Sequence, residues 1–587
     1  MTEHYIDANQ EYIQTLPEWA REFAYKYGSS TANLYILHGN IRDFLPHKSN
    51  AGEFTFTRIQ EYIAERIFGN RNVIVFYDRS SGVVFLNKDM TRDYQKAMHE
   101  KYPDVEDLSD FMSPDPEESF FYLEKYFLTR VAEDKQKCRM VLILDFAETI
   151  VPPGDLGRYS DGGLFCLVTL KRWATHPLFT KGDVSIILLT ENLADISPRL
   201  AGSPATVKVS VPFPSETVRA RFLESKLNEG KLILDRGLTP DRVAAVTNGL
   251  NLMNLNQLIS ENFEISKLLT LEYLRQKKKE IIENEAAGLL EFLETSYNLS
   301  HVSGHNFVKK RFKNAARAIK MGRLDVLPMG YLIAGPVGTG KSFMVSAFAG
   351  EIGIPMVKFC NFRSKWQGDT ESNLERILNI LKSMAPVAVM IDEADAFLGD
   401  RDQEGDSGTS NRVFAQLASF MGNTEFRGKI IWFLITCRPD LVPIDLKRQG
   451  RAEEHLALFY PETDEEREDL FKTLVRKLDL DIRNFPVAEL FKKYKYEYSG
   501  ADLEALLVRA KLLAAMEDRV YIKREDMEEA MSDFVPAVYP HEIELQNLVA
   551  TVECTSKEML PRRLRSKPRS ELSKEIQEIK ILIGERG

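Results

Sequence analysis

The feature that most constrains this chain is one octapeptide, Gly335-Pro336-Val337-Gly338-Thr339-Gly340-Lys341-Ser342. It satisfies the pattern G-x-x-x-x-G-K-[ST] in full. The apolar run "YLIA" precedes it as a strand, and "SFMVSAFAGEI" follows as an amphipathic helix. Such a loop works through its backbone. Glycines let the chain wrap a phosphate and aim N–H groups inward. The helix N-terminus adds a favourable dipole. Lys341 is placed to reach the β- and γ-phosphates of a nucleotide, and the Ser342 hydroxyl to hold Mg²⁺. The candidate nucleotide contacts run from Gly335 through Phe343.

Downstream, the segment Val387–Glu393 reads VAVMIDE, a buried apolar strand that ends in two carboxylates. Asp392, at the strand tip beside the phosphate loop, is expected to bind Mg²⁺ through its water shell. Glu393 is expected to orient or activate an attacking water. Phosphoryl transfer is mostly positioning and charge neutralisation, so both charges are needed at that strand end.

Short β-branched runs recur between helical stretches throughout the chain. In the second half they are Tyr331–Ala334, Met356–Cys360, Val387–Ile391, Ile430–Thr436 and His455–Phe459. In the first half they are Leu34–His38, Val73–Tyr77, Met140–Leu144, Ser185–Thr190 and Val207–Val211. The pattern predicts two doubly wound parallel sheets in an α/β protein. The halves also resemble each other. "LILDFAETIV" around Asp145 matches "VMIDEADAFL" around Asp392, and "VSVPFPSE" at Pro214 matches "LALFYPET" at Pro461. A helix-rich stretch follows each, so a duplicated module is expected. Leu271–Thr295, rich in Lys, Glu and Leu, reads as a helical linker. The expected division is a first module over 1–270, with its α/β part to about 214 and a helical part over 215–270. A helical linker over 271–300 follows, then an α/β subdomain over 301–460, a helical lid over 461–540, and a separate basic and helical tail over 541–587.

Composition narrows the functional classes. Acidic residues number 87 and basic residues 77, a net charge of −10. A broadly acidic chain is a poor candidate for non-specific nucleic-acid binding. The basic run Arg562, Arg563, Arg565, Lys567 and Arg569 reads as a solvated connector rather than a nucleic-acid arm. The cysteines, Cys138, Cys166, Cys360, Cys437 and Cys554, form no CxxC pair, which fits a reducing compartment. No apolar run approaches the ~20 residues that span a bilayer, and the start Met1-Thr2-Glu3-His4 is unlike a signal peptide. A soluble cytoplasmic protein is expected.

Residues beyond these two motifs make the chain resemble the AAA family of ring-forming ATPases. "FLITCRPDLVPIDLKRQGRAEE" is similar to the family's second region of homology, and it places Arg448 and Arg451 at the paired arginine-finger positions. The resemblance implies that these arginines reach the γ-phosphate held by a neighbouring subunit. "SGADLEALL" resembles the lid motif, with Gly500 and Ala501 near the nucleotide, and Gly304 in "HVSGHNFVKKR" matches the loop that flanks adenine. One position departs from the family. Its sensor-one residue is commonly Asn, and Cys437 stands there, after Thr436. A thiol is a weak donor and acceptor. Either Thr436 takes over the water contact or turnover is slow.

The resemblance also places Ser364–Gly368 at the family's first pore loop. Lys365, Trp366 and Gly368 fit its aromatic–hydrophobic–glycine pattern, and Gln367 replaces the hydrophobic residue. A Trp offers a broad, sequence-tolerant contact for an extended chain. Asp402–Asn411 reads as a second polar pore loop. The first module looks catalytically empty: 1–260 hold no phosphate-loop motif, and Phe146 follows Asp145 where Glu393 follows Asp392. His541-Glu542 completes no H-E-x-x-H zinc motif. The expectation is a Mg²⁺–ATPase with a degenerate first module and an active second one, forming a homo-hexamer that remodels a protein substrate or works through an adaptor. The rival reading is a nucleotide-dependent switch or scaffold that hydrolyses ATP slowly.

Overall fold

The computed structural model describes residues 10–29, 32–48, 54–133, 138–154, 159–264, 268–295, 297–352, 354–360, 370–398, 407–483, 486–494, 496–535 and 539–584. The chain forms two compact units, 1–282 with 371–383 and 283–370 with 384–587.

The first unit is built on six strands: β1 (Leu34–Gly39), β2 (Val73–Asp78), β3 (Gly82–Phe85), β4 (Met140–Leu144), β5 (Val184–Thr190) and β6 (Thr206–Val211). Their order is β3-β2-β4-β5-β1-β6, parallel except for the β2–β3 hairpin. Every residue of β4 and β5 is buried, because helices cover both faces of a parallel sheet. Leu34 and Ile36 pack on one face with Phe120 and Trp173, while Tyr35 and Leu37 pack on the other with Phe23 and Tyr62. Helices follow, among them α1 (Leu252–Glu264).

The second unit repeats this plan. Its strands are β7 (Leu290–Phe292), β8 (Gly330–Ala334), β9 (Met356–Phe359), β10 (Val387–Ile391), β11 (Ile430–Thr436) and β12 (Glu454–Ala457). The order β12-β8-β11-β10-β9-β7 matches β6-β1-β5-β4-β2-β3 strand for strand, including an antiparallel edge. The sequence repeat around Asp145 and Asp392 is therefore a repeat of fold, at the C-terminal ends of β4 and β10.

Three expectations are corrected. The linker over 271–300 is not helical throughout. Helix α2 (Leu271–Glu285) ends where Ala287 and Gly288 adopt positive φ, a common helix stop. Leu290–Phe292 then forms β7, paired antiparallel with Val357–Phe359. The segment Asp402–Asn411 is not all loop. A helix begins at Ser407, and 402–406 lie outside the described residues.

The tail beyond 541 is not separate. Helix α5 (Pro540–Glu553) packs on the sheet edge, where Ala550 and Cys554 are buried with Ala334 of β8 and Ala457 of β12. Small side chains allow that close approach. Helix α6 (Arg569–Leu582) packs Leu572 against Leu548 and Leu564. Part of the basic run is paired locally: Arg563 forks onto Glu544 at 3.1 and 2.8 Å, and Lys567 meets Glu575 at 2.6 Å.

Candidate active site

The site sits at the C-terminal ends of β8, β10 and β11, at the crevice where open α/β sheets bind ligands. The phosphate loop leaves β8 with three glycines at positive φ: Gly335 at 143°, Gly338 at 78° and Gly340 at 82°. At Gly335 the need is also spatial, because a Cβ would lie 2.0 Å from the Leu458 carbonyl oxygen. Helix α3 (Lys341–Ile352) then starts at the lysine.

Lys341 is buried, at 8% exposure. Its ammonium donates to the carbonyls of Gly335 (2.9 Å) and Pro336 (2.8 Å) and lies 3.2 Å from the Cys437 thiol. Among the described residues no carboxylate pairs with it. A desolvated cation held only by neutral groups is suited to an anionic ligand. Beside it the Ser342 hydroxyl donates to Asp392 Oδ2 at 2.9 Å, so a hydroxyl and a carboxylate converge at one point. That donor set fits Mg²⁺, a hard cation that takes oxygen ligands. Lys358 Nζ is 4.0 Å from the same carboxylate oxygen. Glu393 is exposed, at φ 50°, and its N–H donates to Asp392 Oδ1.

Thr436 and Cys437 differ in what they contact. Thr436 is buried, and its hydroxyl donates to Asp395 at 2.6 Å and accepts the Arg438 N–H at 2.8 Å. Cys437, not Thr436, is the side chain that faces Lys341.

The lid meets the loop directly. Helix α4 (Gly500–Met516) is capped by Ser499 in a reciprocal box with Asp502. The Gly500 N–H donates to the Gly338 carbonyl at 3.0 Å. A Cβ on Gly338 would come within 2.8 Å of Ser499 and 3.7 Å of Ala501. On the other flank Gly304, at φ 61°, donates its N–H to Asp469, as does the Ser303 hydroxyl. Phe343 packs edge-on against Tyr297, with Lys477 Nζ 5.0 Å from its ring centre.

Sequence reading missed four residues here, His305, Tyr460, Gln546 and Asp395. The Thr339 hydroxyl caps the Pro336 carbonyl, and the His305 ring hydrogen-bonds the Thr339 backbone; loss of hydration, aided by Lys309, pushes His305 down to about 4. Val337 is held from two sides. Its N–H donates to Gln546 Oε1 of α5 at 3.0 Å, and its carbonyl accepts from the Tyr460 hydroxyl at 2.6 Å. Asp395 supports Thr436 as described. Of these, His305 was legible only as the neighbour of Gly304.

Arg448 is exposed. Arg451 donates to the Asp445 carbonyl, and burial and then Arg448 beside it lower its pKa. Among the described residues, no hydrogen bond or ion pair joins either arginine to Lys341, Ser342 or Asp392 of its own chain. Lys365, Trp366 and Gly368 lie outside the described residues.

Three family models match the chain. Residues 8–212 match an AAA+ chaperone N-terminal Rossmann-like domain, 217–287 an AAA+ chaperone second helical domain, and 331–460 the ATPase family associated with various cellular activities (AAA). The chain therefore carries an AAA ATPase domain, preceded by two domains of the AAA+ chaperone kind. It is similar to an uncharacterized AAA domain-containing protein, ycf46, of Trieres chinensis, 25% identical over 55% of this chain and 65% of that protein. It is similar to the cell division cycle protein 48 homolog of Archaeoglobus fulgidus, 24% identical over 70% of this chain and 61% of that protein. It is 31% identical to the ATP-dependent zinc metalloprotease FtsH 1 of Salinibacter ruber over 37% of this chain and 32% of that protein. The chain thus spans less than two thirds of the length of each. Among the described residues no group of three or more His, Cys, Asp or Glu side chains is arranged to hold a metal ion by itself, and no helix is long and apolar enough to cross a membrane.

Proposed function

We propose that the second module hydrolyses ATP to drive ring-based remodelling of a protein substrate in the cytoplasm. The observation that carries this reading is the convergence of the unpaired Lys341 ammonium with the Ser342–Asp392 pair at the end of β10. Lys341 gives up its carbonyl contacts to hold the β- and γ-phosphates. Ser342 and Asp392 hold Mg²⁺, which when bound neutralises phosphate charge and orients the terminal group. Glu393, exposed at the strand end, orients and deprotonates the attacking water. The lid covers the nucleotide, a reading supported by the Gly338–Gly500 hydrogen bond, with Gly304 flanking the base and Ala501 beside the loop.

Arg448, exposed and without a carboxylate partner among the described residues, completes with Arg451 the site of a neighbouring copy in a homo-hexamer. Trp366, between Lys365 and Gly368, grips the translocating chain. A second reading, a slowly cycling switch, is favoured by one observation: Thr436 is committed to Asp395 and Arg438, which leaves only the Cys437 thiol at the sensor position.

The test is paired. Glu393→Gln is expected to bind ATP and turn it over at least a hundredfold more slowly; normal turnover would remove Glu393 from the mechanism. Trp366→Ala is expected to keep basal ATPase activity and lose remodelling of an unfolded model protein. Unchanged remodelling would end the pore role, and ATPase activity that no protein substrate stimulates would select the switch.

A further inference from the structure

The first module keeps the frame of a nucleotide site but fills it with its own side chains. Strand β1 corresponds to β8, and where β8 runs into the phosphate loop, β1 runs into Gly39-Asn40-Ile41-Arg42-Asp43. Strand β4 corresponds to β10 and ends at Asp145, the counterpart of Asp392. The following residue retains the same backbone conformation in both, φ 49° at Phe146 and 50° at Glu393. The side chains differ. Arg42 Nη1 lies 2.7 and 2.8 Å from the two oxygens of Asp145, and the Gln60 amide donates to the same carboxylate. The guanidinium carbon sits 3.9 Å from the centre of the Phe146 ring, and Nε is 3.6 Å from Glu191. A fixed cation therefore occupies the carboxylate whose counterpart in the second module, Asp392, is proposed to hold Mg²⁺.

The next residue reaches the helical subdomain. Asp43 is 1% exposed. It accepts from the Asn40 amide at 2.8 Å, the Met253 N–H at 2.9 Å and the Leu252 N–H, capping the first turn of α1. Helix α1 holds the place in the first module that α4 holds in the second, where the Gly500 N–H bonds directly to the phosphate loop. A bound nucleotide would contact both subdomains of such a module; here a protein carboxylate already does so. The residues do not fit a nucleotide. Phe44, not a lysine, directly follows the loop, the strand-end carboxylate is already paired, and an aromatic ring stands where the second module has Glu393.

We infer that the Gly39–Asp43 loop is a built-in substitute for magnesium nucleotide: Arg42 neutralises Asp145, Asp43 fastens α1, and the first module binds no nucleotide while holding one fixed subdomain arrangement.

The experiment uses the full chain. Titration with a fluorescent ADP analogue and Mg²⁺ is expected to give one site per chain, and none in Lys341→Ala. A site that survives in Lys341→Ala and is displaced by ATP would overturn the inference. Independently, Asp43→Ala should speed hydrogen exchange at the Leu252 and Met253 amides at least tenfold, with nucleotide stoichiometry still one. Unchanged exchange there would overturn the fastening role. Should Asp43→Ala fail to fold, Asp43→Asn, which keeps an acceptor, should fold with intermediate exchange; exchange equal to that of the native chain would count equally against it.

Discussion

Replacing Glu553 by alanine should loosen the docking of the C-terminal helices onto the nucleotide-binding module. Glu553 closes α5, and its carboxylate accepts from Lys447 and lies 3.4 Å from His455 Nδ1 of β12. The side chains are 22%, 10% and 11% exposed respectively, so the cluster is partly desolvated. Hydrogen bonds to charged groups contribute about 1.5–3 kcal/mol each at such sites. Lys447 keeps the Pro439 carbonyl at 2.8 Å, and water partly screens Glu553, so the net loss is about 2–4 kcal/mol. At 1.36 kcal/mol per tenfold, amides of α5 that exchange by local opening should speed up roughly thirty- to several-hundred-fold. Hydrogen exchange over 545–555 reads this directly. Glu544→Ala is the control, because its partner Arg563 is half exposed and the pair contributes little. Protection in Glu553→Ala equal to that of the control would refute the reasoning.

The same cluster sets a pH window. Burial pulls the His455 imidazole down, but Glu553 and nearby carbonyls outweigh it, so its pKa lies above the ordinary 6.5. Burial raises Glu553, yet His455 and Lys447 hold it below 4.5. The histidine contribution is complete below pH 6.5 and is lost as pH rises through its folded value. The glutamate contribution is complete above pH 4.5 and is lost as pH falls through its folded value. Protection of α5 should therefore peak between pH 4.5 and 6.5 after correction for intrinsic exchange, and His455→Gln should abolish the upper limb.

Two further outcomes follow from the site. Gly335→Ala must place a methyl 2.0 Å from the Leu458 carbonyl at φ 143°, so nucleotide affinity should fall at least about a hundredfold; an equilibrium titration that shows native affinity would contradict the loop geometry. Cys437→Asn should raise kcat by about ten- to a hundredfold, because a carboxamide holds a water far better than a thiol. An unchanged steady-state rate would show that the sensor position does not limit turnover.

Much of this was legible in the sequence, for physical reasons. Parallel strands buried on both faces read as continuous apolar runs, which is why β4, β5, β10 and β11 could be placed to within a residue. The phosphate loop is legible because its backbone demands glycine at 335, 338 and 340. What escaped depends on contacts across long separations. Gln546 reaches Val337 over 209 residues, and Arg42 reaches Asp145 over 103. No local pattern encodes either. Strand β7 escaped because three residues, Leu290-Glu291-Phe292, continue the composition of the helix before them and become a strand only by pairing with β9. The docked tail escaped because its anchor is a set of small residues, Ala334, Ala457 and Ala550, whose meaning lies in how closely two elements approach.

The most direct test of a shared, ring-completed site is steady-state ATP turnover per chain as a function of protein concentration. The native protein is expected to show a cooperative rise that follows assembly in light scattering, with Arg448→Ala and Arg451→Ala assembling normally but remaining at the low rate. A rate per chain that stays flat across the monomer-to-oligomer range, and is unchanged in both variants, would contradict it.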